Sequence, residues 1–366
     1  MPSADNYAAA AVQTDIQEEF ETREAQLKRL TAHCQSYSGS DLTRSVFQLV
    51  STTAIFFAAL AALYWAVMTG NWWLYALLLL PAGGLTVRMF IMQHDCGHGS
   101  FFKSCAANTW AGRFVSLFTF IPYDMWRRAH NIHHAGSGNL DRRGAGAVDM
   151  LTVKEYEALP KKARFLYRLY RHPLMLLVFG PPIYIFFMLR FPLHSSVPYL
   201  QEFHAISSKG TFASVMLLNL SLLLFYGTIG YFFGWQAVFL VYIPVLAVGF
   251  WFGQWLFYIQ HQYEDTYWRK QGEWSYAEAA LMGSSWYALP PILHWFTGNI
   301  GYHHIHHLCS GIPNYKLPEC HAAEPDLAKV NRITLKDGLK SIWLALWDED
   351  NKKMIRFSDL KKIRAV

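Results

Sequence analysis

The sequence predicts an all-α integral membrane fold: four transmembrane helices in two hairpins, with a helical cytoplasmic cap. Three observations lead there. Four runs are long and apolar enough to cross a hydrocarbon core, which needs about 20 such residues. The links within each pair of runs are too short for anything but tight turns. The basic residues crowd into the other segments. Composition agrees: 53% of the 366 residues are hydrophobic and only 16% are charged, against roughly 25% charged in soluble domains.

Residues 1–45 are expected to form a cytoplasmic arm. They lack a charged start followed by an apolar core, and Asp15, Glu18, Glu19, Glu21 and Glu24 argue against a transit peptide. From about Thr14 to Cys34 the pattern is that of a polar, surface-lying helix. The membrane unit follows over residues 46–320, with spans at about 47–68, 72–92, 211–233 and 236–260. Thr69-Gly-Asn71 joins the first pair and Gly234-Trp235 the second, so each pair must turn back on itself. The one charge inside a run is Arg88, near an end, where its stem lets the guanidinium reach the headgroups.

Three further apolar stretches are interrupted. Trp110 to Pro122 contains Arg113; Leu174 to Leu193 contains Pro181, Pro182 and Arg190; Leu281 to Ile300 contains Pro290, Pro291 and His294. They are expected to lie along the interface or under the cap. Ser137 to Ala147 is glycine-rich and reads as a loop. Residues 321–366 form a polar cytoplasmic tail.

Lys and Arg set the orientation. They lie before the first run, between the second and third, and after the fourth, and both hairpin tips lack them. The positive-inside bias then puts both termini and the long middle segment on the cytoplasmic side of the inner membrane. The formal charge of +6 fits an anionic lipid surface. Nucleic acid is not expected as a partner, because the basic residues flank apolar runs and no nucleic-acid motif occurs. The five cysteines form no CxxC pair, which fits a reducing compartment.

All the histidine clusters fall on that same side. They are His94-Asp-Cys-Gly-His98, His130-Asn-Ile-His133-His134 and His303-His304-Ile-His306-His307, with His261 alone at the end of the fourth run. Residues three and four apart share a helix face, so the members of each cluster can converge. A lone histidine is usually a satisfied polar side chain. Ten of them, grouped this way on one membrane face, have no ordinary packing role. Neutral imidazole is the commonest metal ligand, and the clusters hold more nitrogens than one tetrahedral ion can use. The count points to two metal ions. His304 is set aside as a non-ligand, and Cys96 points off the face of its neighbours.

An HxxxH box, an HxxHH box about 30 residues on, and a second HxxHH box near the C-terminus resemble the integral-membrane fatty acid desaturase and hydroxylase superfamily. The resemblance extends through Asn139-Leu-Asp-Arg-Arg-Gly144, Gln260-His-Gln-Tyr-Glu-Asp-Thr-Tyr-Trp268 and Thr297-Gly-Asn-Ile-Gly-Tyr302 before the last box. It covers about residues 45–320 and is nearest the bacterial acyl-lipid desaturases. It implies two iron ions held by His94, His98, His130, His133, His134, His303, His306 and His307, with His261 as a ninth ligand. It also implies O₂ as co-substrate and an acyl lipid or fatty acid as substrate. One departure stands out. Acyl-CoA members have an Asn one turn before the lone histidine that helps hold a metal-bound water. Here that position is Phe257, leaving Gln254 and Gln260 as nearby polar groups.

Desaturation fits the residues. An unactivated alkyl chain demands an oxidant made from O₂, which iron supplies with imidazoles holding the geometry. Two electrons enter per turnover. No haem-binding His-Pro-Gly-Gly or clustered cysteines occur, so a separate donor is expected, a ferredoxin or cytochrome b5-like protein. Arg127, Arg128, Arg142 and Arg143 could dock an acidic donor or touch headgroups. Asp95, Asp141, Glu264 and Asp265 are the carboxylates expected to orient imidazoles. Two rivals remain: the same iron pair used for hydroxylation, triple-bond formation or decarboxylation to a terminal alkene, and a non-enzymatic haem or metal carrier. The carrier is disfavoured because the span interiors hold no histidine or carboxylate.

Overall fold

A computed structural model describes residues 22–144, 146–191 and 208–363. The first part of the polar helix expected from Thr14 lies outside them. Its remainder is a helix over 22–36, α1. Then come α2 (Leu42–Met68), α3 (Trp72–His98), α4 (Cys105–Thr119), α5 (Tyr123–Gly136), α6 (Val153–Ala158), α7 (Lys161–Tyr170), a π-helical turn Leu174–Phe179 leading into α8 (Gly180–Phe186), and α9 (Lys209–Phe233). The helix Ala237–His261, here α10, begins with a second π-helical turn, Ala237–Tyr242. Both π turns stand just before prolines, Pro181 and Pro244, which supply no N–H to the helical ladder.

Among the described residues, four helices are long and apolar enough to cross a membrane: α2, α3, α9 and α10. Three start on side-chain caps: Asp41, Asn71 and Ser208 accept the N–H groups of Arg44, Leu74 and Thr211. Three residues separate α2 from α3, and three separate α9 from α10. The inner helices α3 and α10 are buried over 44% of their most apolar stretch, against 22% for α2 and α9. The reason is small residues at their contact. A Cβ on Gly83 would lie 2.3 Å from Val248 Cγ1, and one on Gly249 would lie 2.8 Å from Thr86 Cβ. Only glycine lets these backbones approach so closely. The outer helices expose large apolar side chains such as Phe47, Leu217 and Leu223.

The interrupted stretches resolve differently. Of the stretch Trp110 to Pro122, the part up to Thr119 lies on α4, a helix of 15 residues, and Pro122 precedes α5. The third is broken into the short helices α11 (Tyr276–Met282) and α12 (Pro291–Phe296) with strand β2 (Trp286–Tyr287) between them. The Leu174 stretch joins α7 to make an apolar pair bent by 55°, a fifth candidate crossing or a re-entrant segment.

The all-α expectation needs correction in the segments expected to form the cap. Strand β1 (Leu151–Thr152) pairs in parallel with β4 (Leu344–Asp348), which pairs antiparallel with β5 (Lys353–Arg356); β2 pairs in parallel with β3 (Arg332–Ile333). Asp348-Glu-Asp350 supplied the polar signal of a tail. The acidic run instead opens the turn of a hairpin: Asp348 Oδ1 accepts the N–H groups of Asp350 and Asn351. The strand before it, Leu344 to Asp348, is buried at every position. Its Leu344 carbonyl accepts from Arg171, whose buried guanidinium also binds Asp149 O and Gln262 Oε1.

Candidate metal centre

Four helices deliver the histidines. The inner helix α3 runs on past its apolar stretch and ends at Gly99, which takes the left-handed conformation (φ 73°) that stops a helix. That places His94 and His98 one turn apart on its last turns. Helix α5 carries His130, His133 and His134; α10 ends on His261; and α13 (His303–Leu308) carries the last box.

The nine expected ligands meet in two groups. His94, His98, His130, His134 and His306 form one; His133, His261, His303 and His307 form the other. Within each group one nitrogen per ring lies within 4.8 Å of all the others. His133 Nε2 and His303 Nε2 lie 3.1 and 3.0 Å from His261 Nε2, and His130 Nε2 and His306 Nε2 lie 3.1 and 3.0 Å from His134 Nε2.

This division departs from the expectation that each box converges on one point. Residues four apart are separated by about 40° around a helix axis, whereas neighbours are about 100° apart. So His130 and His134 face one group while His133, beside His134, faces the other. His303 and His307 likewise diverge from His306. Each HxxHH box therefore serves both groups and ties them together.

The rings suit a metal. Burial, reinforced by the neighbouring imidazoles, holds His130, His133, His134, His303, His306 and His307 well below the ordinary histidine value. They are neutral and offer lone pairs. The Nε2 atoms of His98 and His307 are buried with no hydrogen-bond partner among the described residues, an arrangement that costs free energy unless something else engages them. Metal–imidazole bonds of about 2.0–2.1 Å at right angles set neighbouring nitrogens roughly 3 Å apart, close to the spacings seen. The donor set is all nitrogen, which suits iron among other transition metals.

The rings are held from behind. His261 Nδ1 meets the Gly283 carbonyl at 3.0 Å. His94 Nδ1 meets Asp95 Oδ1 at 3.2 Å, while Asp95 Oδ2 accepts from the backbone and side-chain nitrogens of Asn314 at 2.7 and 2.8 Å. Asn314 in turn exchanges hydrogen bonds with Gln48 on α2. The other expected carboxylates lie elsewhere. Asp141 accepts the N–H of Gln271 and pins two loops together. Glu264 and Asp265 are exposed, and no hydrogen bond joins their side chains to a histidine among the described residues. A turn after His261 directs them outward, which adjacency in sequence did not reveal. The Gly283 carbonyl was missed because a backbone acceptor leaves no mark in a sequence.

Other positions are equally specific. His304 belongs to neither group; it is buried, which lowers it to about 3. Phe257 packs its ring 5.4 Å from His133 and 5.7 Å from His261. Gln260 donates to Ile300 O, and Gln254 lines a cavity. Of the four arginines, Arg143 pairs with Glu155 and Arg128 binds Ser208 and Thr211, while Arg127 and Arg142 are exposed.

That cavity has a volume of about 650 Å³ and reaches His94, His130 and His303. Its wall is mostly apolar, with Phe90, Met125, Trp126, Ile185, Phe250 and Leu256 among its members. Trp126 stacks on His130 at 4.5 Å, so the cavity wall and the first group share a surface.

A family profile described as fatty acid desaturase matches residues 70–336, which include all nine histidines. The chain belongs to the fatty acid desaturase family. It is 39% identical to a fatty acid desaturase of Bacillus subtilis over 92% of each chain. It is 28% identical to a ferredoxin-dependent sn-1 acyl-lipid omega-3 desaturase of Synechocystis over 77% of this chain and 76% of that one. It is 30% identical to a cytochrome b5-dependent acyl-lipid omega-3 desaturase of the endoplasmic reticulum of Arabidopsis thaliana, over 69% and 64% respectively. Desaturase membership makes the chain an oxidoreductase of lipid metabolism.

Proposed function

We propose that this chain is an O₂-dependent membrane acyl desaturase that introduces a double bond into the chain of an acyl lipid or fatty acid. One observation carries the reading: two adjoining, all-imidazole groups meet a largely apolar cavity of about 650 Å³, within the usual size range of ligand sites. His94, His98, His130, His134 and His306 would hold one iron, and His133, His261, His303 and His307 the other. Bound there, the iron pair supplies the oxidising power needed to take hydrogen from an unactivated carbon chain.

The protein's own part is placement. Trp126 and Phe257 wall the histidines on the cavity side, excluding bulk water from the carbons. Asp95 and the Gly283 carbonyl fix the His94 and His261 rings, so that their other nitrogens face inward. Electrons come from a separate carrier, a ferredoxin or a cytochrome b5-like protein, as the names of two relatives state for those proteins. Exposed Arg127 and Arg142 are the cations that would meet an acidic carrier.

In the same reading the four spans form two hairpins in the inner membrane. The cap, both termini and the metal centre face the cytoplasm, in line with the placement of Lys and Arg. Terminal reporters active only in the cytoplasm would be active at both ends; silence at either end overturns this orientation. The chemistry is tested by expressing the chain in a host of known lipid composition and analysing acyl chains by mass spectrometry. A new double bond is expected. A gain of oxygen, or loss of the carboxyl carbon, would replace desaturation with a sister reaction.

A further inference from the structure

The cavity has an unexplained gap in its wall. Gly249, Gly253, Phe257 and His261 are spaced four apart on α10 and form one stripe. Gly249, Gly253 and Phe257 all line the cavity. The top of the stripe is the metal centre, where Phe257 and His261 lie. At the bottom, Gly249 is explained by packing, since a Cβ there would press on Thr86 at 2.8 Å. Gly253 has no such explanation. A Cβ there would meet nothing within 4 Å, and its backbone is not in the left-handed region. Glycine inside a helix is less favourable than alanine. What it leaves at this position is room.

Gly253 precedes His261 by eight residues, about 12 Å along the helix axis. Thr86, Gly249 and Phe250 line the cavity farther along. An acyl chain that lies against the histidines and reaches that end must pass Gly253. We propose that Gly253 is a specificity-determining residue: the absent side chain sets the length of acyl chain that the cavity admits beyond the metal centre. The proposal rests on reading the cavity as the acyl site.

The test replaces Gly253 with Ala, Leu and Phe in the full chain and expresses each variant in a host offering acyl chains of several lengths. Two readouts are taken: the chain lengths of lipids retained on the purified protein, by native mass spectrometry, and the chain lengths of the desaturated products. Leu and Phe should lower the ratio of long to short chains in both by on the order of tenfold or more, since one methylene in an apolar pocket is worth at least about that much. Ala should shift it in the same direction by less. Gly227 on α9 also has open space beside it but does not line the cavity, so Gly227→Leu should leave the ratio unchanged.

A working wild type whose Leu, Phe and Ala variants keep the same ratio overturns the proposal. Should the larger variants fail to accumulate, an unchanged ratio in Gly253→Ala overturns it alone. A wild type that retains no acyl chain and makes no double bond instead removes the desaturase reading beneath it.

Discussion

His133 and His261 lie 128 residues apart in the chain, yet their Nε2 atoms are 3.1 Å apart. One comes from the last turn of α5 and the other from the last residue of α10. Their meeting means α5 folds back over the end of α10 and closes the second histidine group. Loss of either ring should empty that group and leave the other largely formed. His133→Ala or His261→Ala should bind about half the metal of wild type by elemental analysis and make no product, while remaining in the membrane fraction. Full metal content in either variant would remove that residue from the set.

Among the described residues, Asp95 is the carboxylate tied to a histidine. Its charge is shared between His94 Nδ1 and the two Asn314 donors. Asp95→Asn should weaken metal binding by about 10–100-fold, the usual effect of losing such an orienting partner, read by metal competition with a chelator. Glu264→Gln and Asp265→Asn should behave as wild type in the same assay, because both side chains face outward.

The contact between α3 and α10 sets the distance between His94, His98 and His261. Gly83→Leu would drive a side chain into Val248 and the Gly249 backbone, where even a Cβ would come within 2.3 and 3.1 Å. Such overpacking typically costs about 1–3 kcal/mol. The variant should unfold at lower temperature in detergent and lose metal from both groups together.

Much of this was legible in the sequence, and the reasons are physical. The spans were readable because lipid tolerates little but apolar helix: the expected 47–68 and 72–92 correspond to Leu42–Met68 and Trp72–His98, and 211–233 and 236–260 to Lys209–Phe233 and Ala237–His261. The nine histidines were readable because clusters at helical spacing have few other uses. How they divide was not, because helical spacing fixes angles on one axis and says nothing of what faces it. His133 and His134 adjoin in the chain and part in space. The sheet of the C-terminal segment was hidden because Leu344 to Asp348 is short and its polar turn resembled a tail. Glu264 and Asp265 misled because proximity in sequence to His261 is lost at the turn that ends α10.

Arg171 holds that sheet to the membrane unit. Its buried guanidinium satisfies Asp149 O, Gln262 Oε1 and Leu344 O at 2.8–2.9 Å. Arg171→Met would take the buried donor from Gln262 Oε1 and leave Leu344 O to the Tyr258 hydroxyl alone, and should cost about 1–3 kcal/mol. Limited proteolysis should then cut the hairpin around residues 344–356 far faster than in wild type, with the four apolar helices still protected.

The metal content tests the two histidine groups most directly. Protein purified without oxygen should carry two iron ions per chain and give the spectroscopic signature of a coupled iron pair, with no haem absorbance. One ion per chain, zinc in an active sample, or a haem band would contradict it.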